Sequence, residues 1–319
     1  MIGDRVIYVT SGENCVRLEE HSTAMDGALE CTQEEADTRM LLHVKHAIEA
    51  GFKTVTIVAD DTDVLIICLA FASELHADIL MRCGTKNRTR LINIKSVAET
   101  IGVNVCKSLI GYHAFSGCDS VSAFAGLGKN KGFNLLLNSE QFQSTFTRLG
   151  ENWELTESLC SELEKFTCKL YAARTSIASV NELRHFMWIA KKGMVESGQL
   201  PPCASTLRQH CLRANYQSAI WRRSLVAKPT TPCPDGHGWK LLETGELDIE
   251  WIVDEPAPQS ILTFLSCKCR KSCKLPSCPC LSNGLKCTAE CSLQTCANIV
   301  EDDELISQDS ENEESDNEY

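Results

Sequence analysis

The chain has 319 residues, with 31 Lys or Arg and 43 Asp or Glu, for a formal net charge of −12. This length predicts about two domains, and an apolar fraction of 43% excludes a wholly disordered chain. Ten of the acids lie in residues 301–319, which contain no base, so residues 1–300 carry 33 acids against 31 bases. The net charge therefore describes a tail and leaves a nucleic-acid partner open.

Neither a secretion signal nor a membrane span is predicted. The first residues include Asp4 and Arg5 without a long apolar run, a pattern not typical of a signal peptide. The longest apolar stretch, Val64–Ala72, has nine residues, whereas a membrane helix needs about 20. The sequence therefore favours a chain that works in a reducing compartment.

Residues 1–150 alternate between strand and helix patterns. Strand patterns cover Arg5–Thr10, Cys15–Leu18, Thr54–Val58, Ile79–Arg82 and Arg90–Ile94. The first two and the last two of these runs flank turn residues and are predicted to form hairpins. Helical spacing covers Glu34–Ala50, and a further helix begins over Ser96–Ile101. This order predicts an α/β fold with a largely parallel sheet flanked by helices.

The composition changes along the chain predict five segments. They are an α/β domain (1–150), a helical extension (151–225), a Pro-rich connector (226–261), a Cys-rich module (262–299) and an acidic disordered tail (300–319). The connector contains one predicted hairpin, which pairs Trp239–Leu242 with Leu247–Val253.

Residues 197–234 contain five bases and no acid. The bases are Arg208, Arg213, Arg222, Arg223 and Lys228. They either follow a nucleic-acid backbone, releasing counterions from it, or form a solvated basic helix face. In the same segment, His210, Cys203 and Cys211 are too irregularly spaced for a zinc site and are predicted to be packing residues.

Carboxylates cluster where predicted strands and helices begin or end. They lie in Glu34-Glu35-Ala36-Asp37, in Asp60-Asp61-Thr62-Asp63, and at Asp119. Clustered carboxylates repel one another unless a cation lies among them, and Mg²⁺ or Mn²⁺ prefers such oxygen ligands. Two such ions can stabilise the attacking and leaving oxygens of a phosphodiester. The alternative is that Glu35 only forms a capping box with Thr32 and that the aspartates are solvated loop ends.

Four short motifs resemble, in the same order, the internal half of the flap endonuclease (XPG-like) family, which is related to PIN-domain nucleases. Glu35-Ala36-Asp37 resembles the family's Glu-Ala-Glu, and Asp61-Thr62-Asp63 resembles its Asp-x-Asp. Leu109-Ile110-Gly111, continued by Gly117-Cys118-Asp119, resembles Leu-Leu-Gly-x-Asp. Gly126-Leu127-Gly128-Lys129-Asn130-Lys131 resembles Gly-Ile-Gly-x-Lys. The resemblance covers Glu34 to about Leu137.

This resemblance implies a partial PIN-like fold and a metal-dependent DNA nuclease. Glu35 and Asp37 would hold a first metal ion, and Asp61, Asp63 and Asp119 a second. Around Gly126, Gly128, Lys129 and Lys131, it implies a helix-turn-helix hairpin whose backbone N–H groups bind duplex phosphates. The alternative for these glycines is an ordinary interhelical turn.

The chain departs from that family at its amino terminus. The family takes further acids from a first strand and an upstream helical segment, whereas 34 residues precede Glu35 here and are predicted to form a hairpin. We therefore expect an amino-terminally incomplete domain with impaired nuclease activity. The competing hypothesis is a non-catalytic DNA- or chromatin-binding zinc protein that retains the nuclease scaffold.

Eight cysteines lie within thirty residues near the carboxyl end. They are Cys267, Cys269, Cys273, Cys278, Cys280, Cys287, Cys291 and Cys296. Eight thiolates can complete two tetrahedral Zn²⁺ sites without any histidine. The alternative is free or disulfide-bonded cysteines, of which disulfides are disfavoured in a chain without an export signal.

This spacing resembles the tesmin/TSO1-like CXC domain, which binds DNA. Leu293 stands where that family has a ninth cysteine, so two or three zinc ions both stay open. Ser277 replaces the family's groove-inserting Tyr, and the bases Lys268, Arg270, Lys271 and Lys274 are predicted to contact DNA phosphates with weak sequence preference. The two resemblances together suggest a protein descended from a mobile element, located in the nucleus or otherwise in the cytoplasm.

Overall fold

The computed structural model describes residues 3–85, 88–191, 197–253 and 267–282, together with Cys287, 291–293 and 296–298. The chain divides into two compact units, Met1–Val253 and Asp254–Tyr319. The domain boundaries predicted at 150 and 225 both fall inside the first unit. The predicted tail lies outside the described residues.

A small antiparallel sheet opens the first unit. Its strands β1 (Ile7–Ser11), β2 (Asn14–Leu18) and β3 (Thr23–Met25) pair in chain order. The predicted first hairpin is confirmed by the pairing of β1 with β2, whereas β3 was not predicted. Cys15, Leu29, Cys31 and Leu42 form a separate small core beneath this sheet.

The second sheet has the order β4 (Thr54–Val58), β5 (Asp78–Cys83) and β6 (Arg90–Asn93). Strands β4 and β5 are parallel, while β5 and β6 are antiparallel. The described residues therefore contain a mixed sheet, not the largely parallel one expected. The physical reason is a tight reversal at Gly84 (φ +84°), where a Cβ would lie 2.3 Å from the Arg88 carbonyl oxygen.

Nine α-helices accompany the sheets in the described part of the first unit. They are α1 (Ala36–Glu49), α2 (Thr62–Ala70), α3 (Ile94–Ile101), α4 (Val103–Ser116), α5 (Lys129–Leu137), α6 (Glu140–Arg148), α7 (Glu157–Tyr171), α8 (Val180–Ala190) and α9 (Ala204–Trp221). Helix α4 is buried along most of its length and contacts α2, α6 and α9. Gly111 permits the close approach to α6, since a Cβ there would lie 2.2 Å from the Phe146 carbonyl oxygen. The unit is mixed α/β with one continuous main core.

Helix α9 crosses this core and is buried on most sides. His210 Nε2 donates a hydrogen bond to the Phe115 carbonyl oxygen at 2.8 Å, and Cys211 is fully buried, so both are packing residues as predicted. The hairpin β7 (Trp239–Leu241) and β8 (Leu247–Ile249) follows, in the predicted segment. None of the helices in the described residues is long and apolar enough to cross a membrane.

Three of the five bases, Arg213, Arg222 and Arg223, are engaged within the protein, so the run does not form a continuous solvated basic face. Arg213 is 1% exposed and donates to the Gly238 and Glu250 carbonyl oxygens, each at 3.0 Å. Arg222 donates to the Leu149 carbonyl oxygen at 2.7 Å. Arg223 lies over the Trp153 ring, and the exposed Arg208 and Lys228 form ion pairs with Glu157 and Glu30, which are distant in sequence. Their charge therefore joins helices and loops of this unit.

Replacing Arg213 by Met is expected to lower the free energy of unfolding by about 3 kcal/mol, because charge-assisted hydrogen bonds to two carbonyls are lost. Urea denaturation of the full chain, followed by circular dichroism, measures this. Arg208→Met is the matched control: its ion pair with Glu157 is exposed, so its loss should lower the stability far less. Equal stability of the two variants would contradict the structural role of Arg213.

Candidate metal centres

Three aspartates meet at the first turns of two helices. A carboxylate oxygen from each of Asp37, Asp61 and Asp63, here called the acidic triad, lies within 4.8 Å of the others. Asp61 follows β4 and caps α2, where it accepts the Asp63 backbone N–H at 2.9 Å. Asp37 lies in the first turn of α1. Helix N-termini favour negative charge, which explains how three carboxylates can lie so close together.

Glu35 is held beside the triad by α9 and does not form the capping box considered above. Helix α1 begins at Ala36, and Glu35 at its N-cap makes no side-chain capping hydrogen bond. Its carboxylate instead accepts hydrogen bonds from Gln217 Nε2 at 2.7 Å and from Trp221 Nε1 at 2.9 Å. Local sequence carries no signal for these two partners, since they lie more than 180 residues away.

Asp119 lies on an exposed loop after α4 and is not a member of the triad. The neighbouring Ser120 hydroxyl donates to Gln217 Oε1 at 2.6 Å, so Gln217 links this loop to Glu35. The structure therefore groups three of the five predicted acids tightly and places Glu35 and Asp119 around them.

The crowding of negative charge affects the pKa of Asp37. Burial, followed by the charges of Asp61, Asp63, Glu35 and Asp119, raises the pKa of Asp37 to about 6. A cation among the carboxylates would oppose this effect by favouring the ionised form. The donor set, all hard oxygens, fits Mg²⁺ or Mn²⁺.

A histidine missed by the sequence analysis lies behind the triad. His113 Nε2 is 2.7 Å from Asp63 Oδ1, and its Nδ1 is 3.4 Å from Lys129 Nζ. Sequence alone gave His113 no partner, because α4 meets α2 and α5 only in the folded core. Lys129, expected at a phosphate, has its ammonium group directed to this ring.

The predicted helix-turn-helix hairpin around Gly126 and Gly128 is not formed. Residues 117–128, all of them described, contain no helix, so the glycines lie in an exposed loop before α5. Gly126 has φ +67°, a conformation that favours glycine, whereas Gly128 has an ordinary φ of −60° at the N-cap of α5. Lys131 is exposed in the first turn of that helix.

The second unit has a core built from sulfur. Six of its eight cysteines are buried, and Cys269 and Cys273 are half-buried against them. Two groups of four sulfurs each lie within 4.8 Å: Cys267, Cys280, Cys287 and Cys291, and Cys267, Cys273, Cys278 and Cys287. Cys267 and Cys287 belong to both groups, so two ions bound here would share their thiolates.

The sulfur spacing fits zinc. Described Sγ–Sγ distances include 3.6 Å for Cys267–Cys273, 4.0 Å for Cys267–Cys287 and 3.7 Å for Cys280–Cys291. Zn–S bonds of about 2.3 Å in a tetrahedron place sulfurs about 3.8 Å apart. A disulfide needs about 2.05 Å, so these pairs are not disulfide-bonded.

Hydrogen bonds and bases surround the cysteine core. Asn298 Nδ2 donates to Cys287 Sγ at 3.3 Å, and the Cys267 backbone N–H donates to Cys291 Sγ at 3.4 Å. Such outer contacts orient ligands. Leu293 packs against the core. The predicted DNA-contacting bases are all exposed: Lys268, Arg270, Lys271 and Lys274.

Comparisons with family models, with curated proteins and with solved structures find no match to this chain. The described residues therefore contain two candidate metal centres: a Cys-rich cluster compatible with zinc, and an acidic triad compatible with a hard divalent cation.

Proposed function

We propose that the chain is a metal-dependent DNA nuclease that hydrolyses phosphodiester bonds at the acidic triad. The observation that carries the proposal is the convergence of Asp37, Asp61 and Asp63 within 4.8 Å, with the pKa of Asp37 raised to about 6. Strongly perturbed carboxyl groups of this kind are typical of functional sites.

The residues of the site have distinct roles in this proposal. A bound Mg²⁺ or Mn²⁺ ion would polarise a phosphate oxygen and activate a water molecule. Asp37, Asp61 and Asp63 supply the oxygen ligands. Glu35, fixed by Gln217 and Trp221, keeps a further carboxylate near Asp37, and the exposed Asp119 borders the same space.

DNA as the substrate is supported by the second unit. Four exposed bases surround its buried thiolates, and zinc would stabilise that arrangement. Lys and Arg on a surface attract phosphates without selecting a base sequence, so this unit would deliver duplex or branched DNA to the enzyme. A nuclear location follows from this substrate.

The affinity of the full chain for duplex DNA is expected to fall steeply with salt and to depend little on sequence. Fluorescence anisotropy between 50 and 200 mM salt, roughly the range over which counterion release is visible, measures this. Replacing Lys271 and Lys274 by Glu should weaken binding and reduce the salt slope by about 0.9 for each lost phosphate contact. The matched control replaces Lys53 and Lys95, two exposed lysines of the first unit, by Glu. A flat titration, or strong preference for one sequence, would contradict the expectation.

The direct test of the proposal is cleavage of a branched and a duplex DNA by the zinc-loaded full chain. Weak cleavage is expected with Mg²⁺ or Mn²⁺, and none without an added divalent ion. No cleavage of either substrate with either ion would remove the nuclease proposal.

One observation favours a second candidate function, a non-catalytic DNA- or chromatin-binding zinc protein with the scaffold of a nuclease. Asp119 stays outside the triad and Glu35 is engaged by two donors from α9, so each of the two predicted ligand sets lacks one of its members. Salt-dependent DNA binding together with absent cleavage would identify this alternative.

A further inference from the structure

We propose that His113, supported by Lys129, is a positioning residue for the acidic triad: it fixes Asp63 by one carboxylate oxygen and leaves the other for a divalent cation. The proposal rests on the proposed function and adds to it a residue that makes no contact with the cation itself.

The tautomer of His113 follows from its two neighbours. The Lys129 ammonium group can only donate, so His113 Nδ1, at 3.4 Å, is the acceptor. The ring proton is then on Nε2, which donates it to Asp63 Oδ1 at 2.7 Å. His113 is 5% exposed, so water competes little for these bonds.

Three helices fix the orientation of the ring. His113 lies on α4, and Lys129 is the first residue of α5. The hydroxyl of Tyr112, next to His113, donates a hydrogen bond to the Lys129 carbonyl oxygen. From α9, the Trp221 ring lies 5.7 Å from the imidazole ring, and its Nε1 donates to Glu35. The same indole therefore supports both the imidazole that holds Asp63 and the carboxylate of Glu35.

An imidazole is better suited to this position than a base in direct contact with the triad. Lys or Arg bonded to Asp63 would neutralise the carboxylate and compete with a cation. His113 instead supplies an oriented N–H, while the ammonium charge of Lys129 stays on the far side of the ring. Outer contacts of this type change metal affinity by about 10- to 100-fold when removed.

The test measures Mn²⁺ binding to the zinc-loaded full chain by electron paramagnetic resonance of the free ion. His113→Leu removes the donor and is expected to weaken Mn²⁺ binding about 10- to 100-fold. His113→Gln carries an amide N–H near the place of Nε2 and should bind Mn²⁺ within about threefold of the original protein, as expected if one hydrogen bond is retained. Rescue by Gln distinguishes a positioning role from packing. Equal weakening by Leu and Gln would overturn the proposal.

One further variant keeps the test decisive. His113→Asn can accept from Lys129 but is too short to donate to Asp63, so it should bind as weakly as the Leu variant. If His113→Leu does not fold, the comparison of Gln with Asn replaces it, and equal affinity of these two would overturn the proposal. Thermal unfolding without Mn²⁺ monitors the fold of each variant.

Asp61→Asn separates this proposal from the proposed function. If Asp61→Asn removes the Mn²⁺ site while His113→Leu binds normally, the positioning role is wrong and the site stands. If Asp61→Asn leaves Mn²⁺ binding unchanged, the triad is not the metal site and the proposed function is wrong as well. Loss of binding in both, with rescue by His113→Gln, supports both proposals.

Discussion

Removing zinc is expected to unfold the second unit while the first unit stays folded. The described core of the second unit consists of cysteine sulfurs, with Leu281 and Leu293 packed at its edge. This small apolar surface cannot offset the entropy lost when the chain becomes ordered. Metal–thiolate bonds are therefore expected to supply most of the folding energy. The first unit has a large apolar core of its own and does not depend on these cysteines.

Hydrogen exchange of the full chain, before and after a zinc-selective chelator, measures this difference. Peptides from 267–298 should lose protection, whereas peptides from α4 and α9 should keep it. Native mass spectrometry of the untreated chain should count at least two zinc ions. One ion or none, or protection that survives chelation, would contradict the expectation.

Single cysteine variants examine whether thiolates are shared. Cys287 belongs to both four-sulfur groups, so Cys287→Ser should release two zinc ions. Cys291 belongs to one group only, which makes Cys291→Ser the matched control: it should retain at least one ion. Equal zinc counts in the two variants would show that the ions do not share Cys287.

Local sequence patterns were sufficient to predict those strands and hairpins whose residues pair with partners close by in the sequence. The strand Thr54–Val58 was predicted with the bounds that the structure has, because a β-branched run is followed at once by aspartates. Both early hairpins and the Trp239 hairpin were also found from strand runs around turn residues. The acidic motifs lie where these elements begin or end, so a carboxylate cluster could be anticipated, although Asp37 was expected in a different ligand set from Asp61 and Asp63.

Contacts between distant segments could not be read from local patterns. Glu35 matched a capping box, but donors from α9 hold its carboxylate, and the helix begins at Ala36, two residues after the predicted start at Glu34. The pattern around Arg213 fitted a basic helix face, yet Arg213 is buried and donates hydrogen bonds to the carbonyl oxygens of Gly238 and Glu250. His113 carried no motif at all. In each case the deciding partner lies far along the chain, where residue spacing gives no information.

The cysteines show the same limit in a simpler form. Their number and spacing predicted a zinc cluster, and the structure gathers them into one buried core. Spacing could not show that Cys267 and Cys287 stand in both groups, because this depends on where the folded backbone places the sulfurs.

Asp61→Asn is expected to lower the rate of DNA cleavage about 1,000-fold. Losing one carboxylate ligand removes several kcal/mol of charge stabilisation in the transition state, and about 4 kcal/mol corresponds to this factor. The substitution should leave the fold intact, because Asn can still accept the Asp63 N–H at the start of α2 and is as good an N-cap as Asp. The loss should therefore appear in the cleavage step and not in DNA affinity.

Asp60→Asn is the charge-matched control for this prediction. Asp60 precedes Asp61 directly, but its carboxylate accepts the Gly84 backbone N–H and takes no part in the triad. The Asn side chain can keep that hydrogen bond, so cleavage should stay within about twofold, since an exposed charge contributes little. Single-turnover rates on a branched DNA, with anisotropy for affinity, compare the two variants. Wild-type cleavage by Asp61→Asn would show that the triad is not catalytic, and an equal loss in Asp60→Asn would show that net charge, rather than ligation, controls the rate.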